Sequence, residues 1–373
     1  MRKNPKFTEM KNRTILLTFI ALLATVLLQH IPRWTEAYST NAYPIICRVL
    51  STVSSLVSFS LYDLLITCLI SISIFLFFKL IFGKKKIQTC LQTACFVAWI
   101  YIAFYLSWGT LYFAPTFAMR NELPKAPQDS VFFKQYFEQY IGQLNQHFDR
   151  AKNAGWVEPS YTVLIEELEG SFDQLEAAYT FPASLRLYDV KPSLYSRIYA
   201  LVGVRGYFGP FTGESMYNMY ALPFETPAIK AHELAHRIGI TSEAEANLIG
   251  YLLTTKSNNA FMQFSGYFSV LPYLLGDARG HFDQEQYQKY IRRIDRSIIK
   301  LYEVRREHWN RLYSPQLGKY QEKLYNHYLQ SNNIQAGTRD YSGVVKLLLS
   351  LELQKIKSDD SANQPCTSIV ASK

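Results

Sequence analysis

Two histidines stand four residues apart in the segment AHELAHRIGITSEAEAN, which runs from Ala231 to Asn247. This spacing places His232 and His236 one turn apart on one helix face, so both imidazoles can reach one zinc ion at about 2.0–2.1 Å. Glu233 follows the first histidine, where its carboxylate can take a proton from metal-bound water and pass it to a leaving amine. This HExxH pattern predicts one zinc ion per chain, with Glu233 as the catalytic base.

A hydrolytic zinc site needs a third protein ligand, and two glutamates follow the histidines closely. Ser242 and Glu245 have the spacing of a capping box, in which a serine begins a helix and a glutamate three residues later supports it. Glu245 then has a structural role, which favours Glu243 as the third ligand and leaves Glu245 as the alternative. Asn247 lies one turn after Glu243, so we expect its side chain to accept a hydrogen bond from a ligand histidine.

The residues on either side of HELAH carry signals for the start and the end of the helix that must position it. Thr226 followed by Pro227 is typical of a helix N-terminus, with threonine as the capping residue and proline in the first position. Gly239 is suited to end the helix near Ile238. An amphipathic helix whose histidines bind no metal is the competing interpretation.

The segment before that helix is rich in tyrosine, valine and phenylalanine and is interrupted by glycine and proline. The stretch RGYFGPFTGESMYNMYAL predicts a β-hairpin that turns between Gly209 and Gly213. Its second strand, ESMYNMY, is our candidate to pair with a substrate backbone, and ordinary sheet packing is the alternative. The residues proposed for this role are Glu214, Tyr217 and Asn218.

A peptidase also needs a group that stabilises the developing oxyanion. Arg279 and His281, in the segment DARGHFD, are candidates, and a tyrosine is another. A hydrogen-bonded surface position is the alternative for His281.

Three long apolar segments near the N-terminus predict transmembrane helices at about 14–31, 62–82 and 87–113. Each is long enough to cross about 30 Å of hydrocarbon at a rise of about 1.5 Å per residue. A cleaved signal peptide is the alternative for the first segment, but no clear cleavage site follows it. Residues 43–60 have apolar positions spaced like those of a helix that lies at the membrane interface.

The distribution of charge predicts how these segments are oriented. Residues 1–113 carry 11 lysines and arginines against 3 acidic residues, whereas the rest of the chain carries 28 against 27. The basic residues precede the first span and cluster at 84–86, which predicts a cytoplasmic N-terminus and an extracytoplasmic domain after residue 113. The net charge of +9 therefore points to the lipid bilayer as a partner and excludes a nucleic-acid patch.

These observations predict a mostly helical α+β protein. It has a membrane domain over 1–113, an extracytoplasmic domain over 114–357 with a small antiparallel sheet, and a polar tail over 358–373. Further helices are expected at 129–154, 161–179, 284–313, 319–330 and 344–356. Four of the five cysteines precede residue 114 and the fifth is Cys366, so the outer domain is expected to hold neither a disulfide nor a cysteine metal site.

At these residues the sequence resembles known zinc peptidases. HELAH followed by EAEAN is similar to the gluzincin metallopeptidases, and in that pattern to membrane-bound peptidases of the CAAX-protease and HtpX type. The resemblance implies a zincin-like fold, with Glu233 as the catalyst and Asn247 in a supporting position. It also implies three zinc ligands, which are His232, His236 and Glu243.

The gap between the two helices, RIGITS, departs from those membrane peptidases, in which it is much longer. It is closer to the metzincin spacing, in which Gly239 fits but Ser242 stands where a third histidine is usual. A family of uncharacterised bacterial membrane proteins is more similar still. The similar segments are PFTGE at 210–214, EAN after the HExxH helix, YLQSNN at 328–333 and YSGVVKLLL from 341. This resemblance covers nearly the whole chain and implies a zinc-peptidase-like fold without a known substrate.

The function that follows is a multi-pass, membrane-anchored zinc metallopeptidase that hydrolyses peptide bonds at the outer face of the bacterial cytoplasmic membrane. Two alternatives stay open. One is a zinc hydrolase that acts on cell-wall peptides or on lipid. The other is a non-catalytic scaffold or sensor with a structural metal, in which no coordination position is open and Glu233→Gln leaves function intact.

Overall fold

The computed structural model describes residues 5–363, apart from residues 128, 185, 187 and 188. Within that part the chain is mostly helical, with one small three-stranded sheet. The N-terminal helices are α1 (Pro5–His30), α2 (Pro32–Ala37), α3 (Tyr43–Ser54), α4 (Leu61–Phe82) and α5 (Lys86–Ser107). A π-helical turn (Tyr38–Ala42) precedes α3, and a 3-10 helix (Gly109–Phe113) follows α5.

From residue 114 onward, the described residues form the sheet and eleven further α-helices. The sheet strands are β1 (Val190–Pro192), β2 (Gly206–Gly209) and β3 (Glu214–Tyr217). The helices up to the sheet and its loops are α6 (Phe117–Arg120), α7 (Ser130–Asn153), α8 (Tyr161–Ala178) and α9 (Ser196–Leu201). Those after it are α10 (Thr226–Arg237), α11 (Glu243–Thr255), α12 (Ala260–His281), α13 (Gln284–Ile291), α14 (Arg296–Leu312), α15 (Pro315–Ser331) and α16 (Val344–Asn363).

Three helices are long and apolar enough to cross a membrane: Arg13–His30, Leu61–Phe82 and Lys86–Ser107. The third is shorter than the predicted span, which extended to residue 113. The chain turns after Ser107 because Gly109 packs closely: a Cβ there would lie 2.4 Å from the ring of Phe104. Residues 109–112 are buried in the core instead of facing lipid.

Helix α3 has one apolar face outside the core. Ile45, Val49 and Val53 follow one another at one-turn intervals, and each is more than half exposed. On the opposite face Tyr43 and Cys47 are buried. This division agrees with the predicted amphipathic helix, which ends at Ser54 rather than at residue 60.

Most helices of the outer part lie close to the predicted positions, with two differences. The predicted helix 284–313 is interrupted, because Asp295 accepts a hydrogen bond from the backbone N–H of Ser297 and so begins α14 as a separate helix. The predicted polar tail from residue 358 begins as helix, since α16 continues to Asn363. Cys366 and the rest of the tail lie outside the described residues, as do Arg2 and Lys3.

The predicted hairpin is confirmed, but the sheet is mixed rather than antiparallel. The strand order is β1-β3-β2, with β3 parallel to β1 and antiparallel to β2. The backbone of β3 is therefore paired on both sides, so the prediction that ESMYNMY pairs with a substrate is wrong. The two edge strands of the sheet are β1 and β2.

One hydrophobic core joins residues on both sides of the predicted domain boundary at residue 113. Tyr43 donates its hydroxyl to the Arg237 carbonyl at 2.6 Å, and the indole N–H of Trp108 donates to the His236 carbonyl at 3.2 Å. These carbonyls belong to the last turn of α10, where the His236 carbonyl also accepts from the Gly239 N–H at 3.0 Å and the Arg237 carbonyl from Cys47 Sγ at 3.7 Å. Residues of the N-terminal part thus complete the end of the helix that carries both histidines.

We predict that Tyr43→Phe lowers the free energy of unfolding by about 1–2 kcal/mol, because the buried Arg237 carbonyl loses its hydroxyl donor. The measurement is thermal unfolding of the full-length protein in detergent. The matched control is Tyr320→Phe, since Tyr320 is 73% exposed and is expected to leave stability unchanged. Equal unfolding temperatures for the two variants would contradict the prediction.

Candidate metal centre

Helix α10 ends at the predicted glycine, but its first residues differ from the prediction. Thr226 is the first helical residue rather than the cap, and its hydroxyl donates to the Leu222 carbonyl at 3.0 Å. Pro227 lies in the first turn, as predicted. Gly239 adopts a left-handed backbone with φ of +95°, and the Ile240 N–H bonds back to the Ala235 carbonyl. The helix is therefore ended by glycine in the way the sequence indicates.

The three predicted ligands come together at the junction of α10 and α11. The Nε2 atoms of His232 and His236 are 3.2 Å apart. Glu243 Oε2 lies 3.2 Å from the former and 3.5 Å from the latter. One ligand atom from each residue fits within 4.8 Å of the others. Two imidazole nitrogens and one carboxylate oxygen form a donor set that suits zinc and leaves a fourth position for another group.

The orientation of His236 is fixed by a backbone carbonyl. Its Nδ1 lies 2.7 Å from the Ile240 carbonyl oxygen, which only accepts, so Nδ1 carries the proton. In the neutral ring Nε2 then keeps its lone pair, and that atom faces His232 and Glu243. We predicted Asn247 for this supporting role. The Asn247 amide donates to the Tyr341 carbonyl at 3.3 Å, and its support of a ligand histidine stays a prediction.

Glu245 is held away from the two histidines. Its oxygens accept hydrogen bonds from the backbone N–H groups of Phe117 and Ala118, at 2.9 and 2.8 Å, in the first turn of α6. Its own N–H donates to the Ser242 hydroxyl, as the capping pattern predicts. Glu245 therefore joins two helices, and the geometry favours Glu243 over it as the third ligand.

A tyrosine that the sequence did not single out completes the surroundings of Glu243. Tyr325 in α15 donates its hydroxyl to Glu243 Oε1, across a separation of 82 residues. Glu243 Oε2 is buried without a hydrogen-bond partner of normal geometry. Tyr325 thus occupies one carboxylate oxygen and leaves the other directed at the imidazoles. No local pattern around Tyr325 signals this contact, because it depends on how α15 packs.

Burial and charge shift the acid–base behaviour of the three groups. Burial raises the pKa of Glu233 to about 7, against the opposing effect of the histidines. Burial alone would raise the pKa of Glu243, but the two histidines outweigh it and hold that pKa well below its usual range. Burial alone would lower the pKa of His236, and Glu243 reverses this and raises it to about 9.

Glu233 faces a cavity with one oxygen unsatisfied. It is buried, and its Oε2 has no hydrogen-bond partner. Strand β2 passes against it, since a Cβ built at Gly206 would lie 2.5 Å from Glu233 Oε1. Glycine is required there for this close approach of backbone to carboxylate. The cavity has a volume of about 690 Å³ and is also lined by His232, His236 and Glu243.

The walls of this cavity come from both parts of the chain. Tyr62 lines it from the N-terminal end of α4, and Phe104 and Trp108 line it from the C-terminal end of α5 and the residue that follows. The opposite parts of the wall carry several tyrosines and two arginines that the sequence did not single out. These residues are Tyr273, Tyr325, Tyr328, Tyr341, Arg205 and Arg305.

The predicted oxyanion groups lie elsewhere. His281 is hydrogen-bonded to the Ser130 hydroxyl at 3.1 Å and stacks on Phe133, near the C-terminal end of α12. Arg279 lies over the ring of Tyr287. Neither residue lines the cavity. The prediction for both is wrong, and the tyrosine alternative fits better: the Tyr341 ring lies parallel to that of His232 with centroids 6.5 Å apart.

The residues proposed for the substrate strand are structural. Glu214 forms a buried ion pair with Lys191 at 2.7 Å. Asn218 donates to two backbone carbonyls at 2.9 Å. The ring of Tyr217 lies 4.4 Å from the ammonium of Lys230. None of the three proposed residues lines the cavity, so the structure does not bring them to the metal centre.

The match to a family model covers residues 38–349 of the 373 and therefore includes α3, α4, α5 and the metal centre. That family is described as proteins of unknown function, DUF3810. The chain belongs to this family. No curated protein and no solved structure matches it.

For this DUF3810 protein we predict that Tyr325→Phe weakens zinc binding about 10-fold or more, because Glu243 loses the donor that orients it. The affinity is measured by competition with a chelator on the full-length protein. Tyr320→Phe is the matched control, since Tyr320 lies on the same helix and is 73% exposed. An unchanged affinity in Tyr325→Phe would show that the contact does not support the metal.

Proposed function

We propose that this chain is a membrane-anchored zinc-dependent peptidase with a zincin-like active site. One observation carries the proposal: the ligand atoms of His232, His236 and Glu243 converge beside a buried Glu233 oxygen that has no partner and faces an open cavity. The HExxH helix, the glutamate that opens the next helix and the adjacent sheet are the features that support a zincin-like fold.

The chemistry follows from the positions of these groups. A zinc ion bound there would polarise the peptide carbonyl and lower the pKa of a coordinated water. Glu233 Oε2 is placed to accept the proton of that water and to deliver it to the leaving amine.

The cavity distinguishes this proposal from a structural metal site. A structural zinc is enclosed by four protein ligands, whereas here three ligands lie in the wall of an open space. Strand β2 has a free edge beside Glu233 and is the strand we propose to pair with a peptide backbone. A peptide backbone can pair with this strand edge and a lipid cannot, so the free edge of β2 favours a peptide substrate over a lipid.

We also propose that the cleaved bond lies close to the outer surface of the cytoplasmic membrane. The outer ends of α4 and α5 form part of the cavity wall, and the basic turn at 84–86 lies at the other ends of the same helices. With that turn in the cytoplasm, the metal centre faces outward. The exposed apolar face of α3 then rests in the lipid headgroup region.

We predict about one zinc ion per wild-type chain and loss of that zinc in His236→Ala and Glu243→Ala, because each variant removes a ligand. The measurement is metal analysis of the full-length protein purified in detergent. Glu245→Gln is the matched control: it changes a buried glutamate of the same helix that contacts backbone amides. No zinc in the wild type after metal is supplied would overturn the proposed function.

We predict that Glu233→Gln keeps the zinc but loses roughly 10²–10⁴-fold in peptide cleavage, since an amide cannot accept the proton. The assay incubates the full-length protein with a mixture of peptides from digested whole-cell protein and identifies products by mass spectrometry. Zinc-dependent products made equally well by Glu233→Gln would remove Glu233 from the mechanism. A zinc-loaded wild type that cleaves nothing would favour the non-catalytic alternative.

A further inference from the structure

Two arginines line the cavity that holds the metal centre, and they share one carboxylate. Arg305 Nε donates to Glu225 Oε1 at 2.5 Å, and the indole N–H of Trp309 donates to Glu225 Oε2 at 2.9 Å. Both oxygens of Glu225 are therefore engaged. Arg205 approaches the same carboxylate only to 3.7 Å, which is an ion pair without a hydrogen bond.

The Arg205 guanidinium is held in place but lacks acceptors. Its guanidinium carbon lies over the ring of Trp309, 5.3 Å from the ring centroid. Among the described residues, its guanidinium makes no hydrogen bond, although it carries five N–H donors. The side chain is 39% exposed, which leaves it accessible from the cavity.

The two arginines of the cavity wall share the single carboxylate of Glu225. Glu225 balances Arg305, while Glu233 and Glu243 face the histidines and would balance a divalent cation. Burial within the cavity and the neighbouring Arg305 lower the pKa of Arg205 to about 10, so it stays protonated at neutral pH. One positive charge with free donors therefore remains on the cavity wall.

The position of Arg205 places this charge next to the reacting bond. Arg205 directly precedes Gly206, whose backbone lies against Glu233. Successive residues of a strand are about 3.3 Å apart, so a substrate paired along β2 would bring its neighbouring residue within reach of the guanidinium. A planar guanidinium with free donors binds a carboxylate through two parallel hydrogen bonds.

We propose that Arg205, supported by Trp309 and Arg305, binds a carboxylate of the substrate beside the peptide bond that is cut. This inference rests on the proposed peptidase function and names its substrate class. The carboxylate has two sources: the C-terminus of a peptide, for an enzyme that trims chain ends, or an aspartate or glutamate side chain, for an enzyme that cuts internally.

The test measures binding to the full-length protein in detergent after removal of metal, where no turnover occurs and zinc cannot attract the carboxylate. Three peptides of one length are compared: a neutral N-acetylated peptide amide, the same peptide with a free C-terminus, and the amide with one alanine replaced by glutamate. We expect one of the two charged peptides to bind at least about 10-fold more tightly than the neutral amide. Which one it is identifies the source of the carboxylate.

We expect Arg205→Gln to reduce that preference to about onefold and Arg205→Lys to keep part of it, because lysine retains the charge without the planar fork. Arg311→Gln is the matched control, because Arg311 lies on α14 with Arg305 but its side chain is 78% exposed. The peptide preference of this variant should equal that of the wild type. Retention of part of the preference by the lysine variant shows that the loss in Arg205→Gln is not misfolding.

Three outcomes would overturn the inference: equal binding of all three peptides, a preference that survives in Arg205→Gln, or no binding of either charged peptide at millimolar concentration. These outcomes are independent of the proposed catalysis. A chain that binds no zinc, or cleaves nothing, can still show the carboxylate preference, so the two proposals fail separately.

Discussion

The turn at Gly239 is the constraint on which the metal centre depends. Only six residues separate His236 from Glu243, and the left-handed backbone of Gly239 reverses the chain within them. The same turn brings the Ile240 carbonyl to His236 Nδ1 and directs Nε2 toward Glu243. A side chain at position 239 would be strained by φ and would also meet Pro182, whose Cβ lies 2.9 Å from the ideal Cβ position.

This turn is in turn supported by residues of the N-terminal part, which explains why the site and the membrane helices share one core. Tyr43 donates to the carbonyl of Arg237, and Trp108 donates to the carbonyl of His236. Both carbonyls lie just before Gly239 in the chain. Glu214 accepts hydrogen bonds from the N–H groups at the start of α4 and so fixes the sheet to the same helices. The candidate metal centre is therefore packed against the N-terminal helices rather than attached to them by a linker.

The sequence predicted what depends on short-range spacing. The i,i+4 histidines, the Ser242 cap, the glycine stop and the apolar spans each follow from a few neighbouring residues, and each appears in the structure. The errors concern contacts between distant segments. Neither the central place of β3 nor the role of Tyr325 is encoded in a local pattern, because both follow from the packing of whole elements. The prediction of His281 as an oxyanion group was wrong for the same reason, because its contacts with Ser130 and Phe133 depend on how α12 packs against α7.

The buried glutamates show why the geometry points to one site. Burying a carboxylate is costly unless hydrogen bonds or a cation replace its water. Five glutamates are buried among the described residues. Three of them have polar partners: Glu214 contacts Lys191, Glu225 contacts Arg305 and Trp309, and Glu245 accepts from two backbone N–H groups. Glu233 and Glu243 each keep one buried oxygen without a hydrogen bond, and both lie beside the two histidines in the wall of one cavity. The contrast between these two glutamates and the other three is the physical argument that supports the proposed metal and substrate site.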